Sequence, residues 1–466
     1  MRTLSLPAAP VLALLAHLAA CASIPTRPTE RLPMVEIEIN NTAATVDDYV
    51  TWSPTQARAR IANGNEVSGA YTVVLRNMDP GGPGGQLLFA ASQNPWPAGT
   101  TATQPALTLT LPQSGAWVPF VLAGEFGHPS TRDKDAVIEA KEDRPDGVVL
   151  GRKALMVRVR KNANTLTADE RDRFLRAMAT LNLQMNNYDD FRAIHAVAST
   201  QAHSDGNIPH TAHAFLPWHR ALVLRIEREL QAIDPSVALP YWRFDQGAIN
   251  VFHADFMGIT NTGNQVTFAA TNPLLAWTAL GVAGVQRKPT FAPGALPPLV
   301  ISQATTLALG GAYASFRAME GNPHGPAHTQ AGGSGNWIAQ VAPAVRDPLF
   351  FLLHANVDRL WATWQHLNGT YDPAQASSYT LLGNAPSGVC LALGQHALDT
   401  MWPWNGAVSP GDPCRPATAP GGAFPAAAPA LLYPPAQPRP HDLVEFRQGG
   451  LGGAGGGFAY DDIPFS

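Results

Sequence analysis

At Thr167 the apolar residues of this chain change their spacing from every second residue to every third or fourth, which divides its 466 residues into two kinds of fold. Before the switch, segments 35–40, 71–77, 86–92, 106–112, 117–124, 136–142 and 154–160 are short, mostly alternating, and parted by turn residues such as the cluster Gly81-Gly82-Pro83-Gly84-Gly85. Seven such segments within about 125 residues predict an all-β sandwich over 35–162. At the switch, Thr167-Ala168-Asp169-Glu170 has the form of a capping box and opens a mainly α region over 163–368. Its helices are expected from Thr167 through Leu181, from Tyr188 to Ser199, from Trp218 or His219 to Ile233, and from Asp347-Pro348 through Leu367, with one short helix near 273–280. Residues 369–466 are rich in Pro, Gly and Ala with little period, and are expected to wrap on the helical region as a loop-rich tail.

The helical region places histidines where apolar residues belong. In 208–230, Pro217 suits a first helical turn, and Leu222, Ile226, Leu230 and Ile233 form a stripe that His219 joins three residues earlier. His195 shares a face with Phe191 and Ala198. His324 and His328 are four apart, on one side of any helical turn, and His354 shares a face with Phe350, Val357, Asp358, Trp361 and Gln365. With His210 in the loop before Pro217, six imidazoles are expected to face inward.

A single buried histidine is ordinarily a hydrogen-bonded core residue. Six need many partners, since an unpaired buried polar atom is costly, and nearby carboxylates are too few to supply them. Metal ions would. Imidazole suits copper and zinc among others, and the region has neither a nearby cysteine nor a His-Glu-x-x-His motif. Three ligands for each of two ions leave an open position on each, an arrangement suited to oxygen binding between two coppers.

These residues closely resemble the tyrosinase and polyphenol oxidase family of type 3 copper proteins. The resemblance is carried by His195, by His210 and His219 nine apart around Phe-Leu-Pro-Trp-His-Arg, by His324-x-x-x-His328, and by Asp347-Pro-Leu-Phe-Phe-Leu-Leu-His354-Ala-Asn-Val-Asp-Arg-Leu-Trp. It extends more weakly to 398–404 and Tyr460-Asp461-Asp462, which look like the tail of bacterial members, and leaves the N-terminal β region outside. It implies a bundle of four helices in which His195, His210 and His219 hold one copper and His324, His328 and His354 the other. The implied activity is oxidation of o-diphenols, and of monophenols, to o-quinones by dioxygen. Of the loop histidines, only His210 has the nine-residue spacing, so His203 and His213 are set aside, and His128, His366, His396 and His441 are read as surface or structural.

For monophenols the family pattern implies a Glu shortly before the His-x-x-x-His pair, and an Asn directly after its first His, holding a basic water. Glu320 fills the first role, but Gly325 stands where the Asn would be, so a catechol oxidase better on diphenols than on monophenols is expected. Asn356 and Asp358 can accept an imidazole N–H, with a salt bridge as the plainer reading of Asp358, and Phe350 and Phe351 are candidate pocket walls. Many family members cover the coppers with an aromatic residue from an accessory segment, and here the tail or the β region could do so. The rival readings are an o-aminophenol oxidase, which differs only in the pocket, and a non-catalytic oxygen- or copper-binding protein.

The chain opens with Arg2, an apolar run over 4–18 and Leu18-Ala19-Ala20-Cys21. That pattern resembles a bacterial lipoprotein signal over 1–21, with Cys21 as a lipidated membrane attachment and 22–34 as a Pro- and Thr-rich tether. It implies an exported protein, periplasmic or on the outer membrane, where Cys390 and Cys414 could pair. No later run reaches 18 apolar residues, and a net charge of −4 without a basic block argues against a nucleic-acid partner. The expected partners are a small phenol and dioxygen.

Overall fold

The computed structural model describes residues 31–41, 43–44, 48–91, 104–185, 187–203, 206–293, 295–386, 393–408, 415–425, 434–447 and 457–465. The expectations for the 1–21 signal with Cys21, for most of the tether, and for Cys390 and Cys414 fall outside these residues.

Strands β1 (Val35–Ile39), β3 (Thr55–Ile61), β7 (Val118–Gly124) and β5 (Leu87–Ala90) form one antiparallel sheet in the order β1-β3-β7-β5. Strands β2 (Tyr49–Val50), β9 (Val149–Val157), β8 (Ala136–Glu142), β4 (Tyr71–Asn77) and β6 (Ala106–Leu111) form a second in the order β2-β9-β8-β4-β6, antiparallel except for the β2–β9 pair. Alternation sends Ile37, Ile39, Ala59, Phe120 and Leu122 of the first sheet and Val73, Leu75, Ile138 and Val157 of the second into one apolar core. Strands β2 and β3 are additions to the seven expected. In β3 the inward positions are Thr55, Ala57, Ala59 and Ile61, of which only Ile61 is large, so its alternation carries little hydrophobic contrast; its register sets Ala57 opposite Phe120, a small side chain against a large one.

The helical region packs around a second, larger core. Helix α1 (Ala168–Leu183) starts at the expected box: Glu170 N–H donates to Thr167 Oγ1 at 3.2 Å, and Thr167 N–H donates to Glu170 Oε2 at 3.0 Å. Helix α2 (Tyr188–Thr200) follows, then α3 (Phe215–Ile233), which begins three or four residues before the expected start at Trp218 or His219. The expected helix near 273–280 is instead a 3₁₀ turn, Pro273–Ala276, followed by a small hairpin, Thr278–Ala279 with Val282–Ala283. Helix α4 (His324–Gly332) carries the histidine pair. Helix α5 (Leu349–Asn368) is started by Asp347, whose Oδ1 accepts the Leu349 N–H at 2.9 Å while its carboxylate pairs with Arg287 at 2.6 and 2.8 Å. It ends at Gly369 with φ +63°.

The β unit meets the helical region at the end of α3 and at α1. Arg158 donates to the carbonyl of Pro235 just past the end of α3, and Arg173 on α1 donates to the Thr131 carbonyl at 3.2 Å. At 1.5 Å per residue, Pro235 lies about 24 Å along the α3 direction from His219. The terminal segment closes the junction: Arg160 N–H donates to Ala459 O at 2.8 Å, Asp461 N–H to Arg160 O at 2.9 Å, and Trp52 Nε1 to Tyr460 O at 2.8 Å. Among the described residues, no helix is long and apolar enough to cross a membrane.

Candidate metal centre

The six inward histidines fall into two groups of three. Ligand-capable atoms of His195, His210 and His219 lie within 4.8 Å of one another, and so do those of His324, His328 and His354. Helices α2, α3, α4 and α5 supply five of the six and the loop before α3 supplies His210. The groups face each other, with the His219 and His354 rings stacked at 4.3 Å between centroids and His210 and His324 at 6.3 Å.

The ring nitrogens are sorted by the backbone around them. Nδ1 of His219 bonds to Phe215 O at 2.9 Å, that of His324 to Glu320 O at 3.0 Å and that of His328 to Ile338 O at 2.8 Å. The ring of His195 has the Ser199 hydroxyl 3.5 Å from its Nδ1. A carbonyl can only accept, so Nδ1 carries the proton in His219, His324 and His328, and their Nε2 lone pairs face the other histidines. Nε2 of His195, His219 and His324 is buried without a hydrogen-bond partner, and His328 Nε2 approaches His354 Nε2 at 3.0 Å. Imidazole Nε2 atoms gathered in this way, three of them unsatisfied, are costly in a bare core and fit a metal-binding donor set. Burial, reinforced by neighbouring imidazoles, pushes the His195 pKa down to about 3 and burial pushes that of His328 to about 4; His210, His219, His324 and His354 are also held well below their ordinary value. All six are thus neutral ligands near pH 7. Neutral imidazoles in two facing sets of three suit a pair of copper ions.

A recess of about 110 Å³ opens onto His195, His210, His324 and His328. Its other walls are Gly325 and Thr329 of α4 and the segment from Ile338 to Ala344, which has no helical or strand period and left no mark in the sequence reading. Among the described residues, none from the β unit or from 369–466 lines it, so the expected aromatic cover from those segments is absent from its walls.

The remaining expected residues occupy other places. Phe350 lies beneath both groups, stacked on His354 at 4.1 Å and edge-on to His195 at 4.9 Å. Phe351 packs on Tyr188 and Phe191 instead, and neither phenylalanine lines the recess. Glu320 turns its carboxylate to the Thr211 N–H, which donates to Oε1 at 2.6 Å, and burial pushes its pKa up to about 7. Gly325 is at the recess with room beside it: a Cβ there would meet only Glu320 O, at 3.6 Å.

Asn356 and Asp358 do not reach an imidazole. The Asn356 oxygen accepts from Arg359 at 3.4 Å. Asp358 accepts from Arg160 Nη1 at 2.9 Å, from the Tyr460 hydroxyl at 2.7 Å and from Arg220 Nε. Arg160 also pairs with Glu227, at 2.6 Å from Nη2. The salt-bridge reading of Asp358 therefore holds, with Arg160 and Arg220 as the cations, while Arg359 pairs with Asp462. This fully buried network ties α3, α5, the exit of the β unit and the terminal segment together. Its members are far apart in sequence, and only the charge of Asp358 one turn after His354 hinted at it. His213, His366, His396 and His441 belong to neither group of three.

A sequence profile of the common central domain of tyrosinase matches residues 185–367. The chain is 35% identical to the tyrosinase of Streptomyces glaucescens over 279 residues, covering 54% of this chain and 94% of that protein. It is 36% identical to the tyrosinase of Streptomyces lincolnensis over 281 residues, again 54% and 94%. Among solved structures, a polyphenol oxidase variant from Thermothelomyces thermophila aligns over 45% of this chain and 70% of its own, with 22% identity and a TM-score of 0.35.

Proposed function

Since this chain belongs to the tyrosinase family, whose members hold two coppers, we propose that it oxidises o-diphenols to o-quinones with dioxygen and acts on monophenols less readily. The observation that carries this reading is the pair of facing histidine groups with a recess opening directly onto both. In it His195, His210 and His219 hold one copper and His324, His328 and His354 the other, and bound copper supplies the redox chemistry with oxygen. Two diphenols give up four electrons and four protons, which reduce one dioxygen to two waters.

The protein's own residues orient and exclude. Ile338 and Val341 offer apolar surface to a phenol ring, and Phe350 closes the floor against water from below. The carbonyls on the Nδ1 atoms of His219, His324 and His328 keep these three rings from rotating. A diphenol needs little further help. A monophenol must first lose its proton, and Gly325 has no side chain with which to hold a basic water. Glu320, already engaged with Thr211, does so less well alone. Initial rates on a monophenol and its matching catechol test this: a catechol rate well above the monophenol rate, with a lag on the monophenol, is expected, and equal rates without a lag overturn it.

The same proposal reads 35–162 as a β-sandwich, 163–368 as a copper domain built on a four-helix bundle, and 369–466 as a tail packed on it. It also reads 1–21 as a lipoprotein signal, which predicts a membrane-attached product released when Cys21 is replaced.

A further inference from the structure

Five of the six histidines sit on helices, and His210 does not. Its ring is also held more loosely: three rings have a backbone carbonyl on Nδ1, His195 has the Ser199 hydroxyl and His354 is stacked at 4.3 and 4.1 Å between His219 and Phe350, whereas His210 Nδ1 is buried without a partner and its nearest rings, His219 and His195, lie at 5.1 and 5.2 Å. Its position therefore rests on the backbone of the loop 208–214, and that loop is held from outside. Gln395 Oε1 accepts the Ala214 N–H at 3.0 Å, and Gln395 Nε2 donates to Ile208 O at 3.0 Å. One amide thus spans both ends of the loop. At its middle, Thr211 takes a left-handed φ of +54° and gives its N–H to Glu320.

Gln395 is itself rigid. It is 3% exposed, and its carbonyl accepts the Tyr379 hydroxyl at 2.6 Å. The preceding Gly394, at φ +81°, lies so close to Met401 that a Cβ would stand 2.3 Å from Cγ, so the turn presenting Gln395 packs without space for a larger residue.

We propose that Gln395, from the C-terminal segment, is a positioning residue for one metal: it clamps the loop 208–214 so that His210 stays in reach of His195 and His219. The tail is then part of the metal centre without touching the metal. Glutamine suits the task because the clamp needs an acceptor and a donor on one rigid group. Glutamate would accept from Ala214 but set a carboxylate against the Ile208 carbonyl, and methionine would fill the space with neither bond.

The inference rests on the reading that the two groups bind copper, so its test reads the bare chain and the metal separately. Full-length wild type, Gln395→Met and Gln395→Glu are compared with Asp399→Asn, which alters a tail carboxylate that accepts the Ala385 N–H and makes no hydrogen bond to the loop. In the metal-free chain, amide hydrogen exchange over 208–214 should quicken in Gln395→Met by about tenfold or more while α3 stays protected. Copper titration against a competing chelator should give two tight sites in wild type and in Asp399→Asn. In Gln395→Met it should give one unchanged site and one about ten- to a hundredfold weaker, with Gln395→Glu between. Two unchanged sites in Gln395→Met overturn the proposal. So does equal weakening of both sites with a lowered melting temperature of the metal-free chain, which is a general loss of fold. Fewer than two copper sites in wild type overturns the copper reading itself.

Discussion

Replacing Asp358 with Asn should destabilise this protein severely. Asp358 is 2% exposed, and Arg160 and Arg220 are fully buried. In wild type two guanidinium groups face two carboxylates, Asp358 and Glu227, and the charges balance. The substitution leaves two buried cations against Glu227 alone and turns an amide N–H₂ toward one of three donors that now share two carboxylate oxygens. Removing one partner from a buried ion pair costs about 3–5 kcal/mol, because the remaining charge is neither paired nor hydrated. With a slope near 3 kcal/mol/M, that lowers the urea midpoint by about 1–2 M. Tryptophan fluorescence of the metal-free chain reports the transition, since Trp218 and Trp361 lie in the helical core. Arg160→Met leaves the opposite imbalance, and combining it with Asp358→Asn restores one cation to one anion. The double variant should therefore be about 1–3 kcal/mol more stable than the sum of the single effects predicts. An Asp358→Asn stability within about 0.5 kcal/mol of wild type, or strictly additive effects, would refute the account of a charge-balanced core.

Three further outcomes are expected. Gly325→Asn, for which the backbone leaves space, should raise the ratio of monophenol to catechol rate by at least about tenfold by adding a side chain able to hold a basic water; an unchanged ratio removes Gly325 from the explanation of substrate preference. Dialysis against a strong chelator should abolish catechol oxidation, Cu²⁺ should restore it and Zn²⁺ should not, and activity persisting after metal is stripped would sink the copper reading. In the β unit, burial of Asp135 favours the neutral form, but the Ser130 hydroxyl and the N–H groups of Gly85, Thr131 and Arg132 outweigh it and hold the carboxyl below its ordinary value. A carboxylate with a lowered folded pKa stabilises above its unfolded value and loses that contribution as pH falls through the folded one. Asp135→Asn should therefore lower the melting temperature near pH 7, and its deficit should shrink as pH drops below about 4; a deficit constant with pH would show that ionisation is not the cause.

The amino-acid pattern carried the metal centre well because metal ligands on helices must obey the helix period. His195, His219 and His354 stand on apolar stripes, so their inward direction follows from spacing, and His324 and His328 are one turn apart, which puts them on one face. His210 was legible through its distance from His219, not through any period. Strand β3 was missed for the converse reason, as alanines at its inward positions give a weak signal that its large neighbour Phe120 makes good only after folding. The start of α3 was placed late because nothing local marks Phe215, and the loop that precedes it is clamped by a residue 181 positions away.

What the chain determined by itself was the division at Thr167, the four long helices and the faces on which His195, His219 and His354 stand. Each depends on neighbours within a few turns, where geometry fixes which side chains share a face. Only the tertiary structure decided that Asp358 balances Arg160 and Arg220, that the recess is walled by 338–344, and that Gln395 holds the loop of His210. Those contacts join segments with no common period, and a hydrogen bond or an ion pair between them is set by distance in space, which spacing along the chain does not encode.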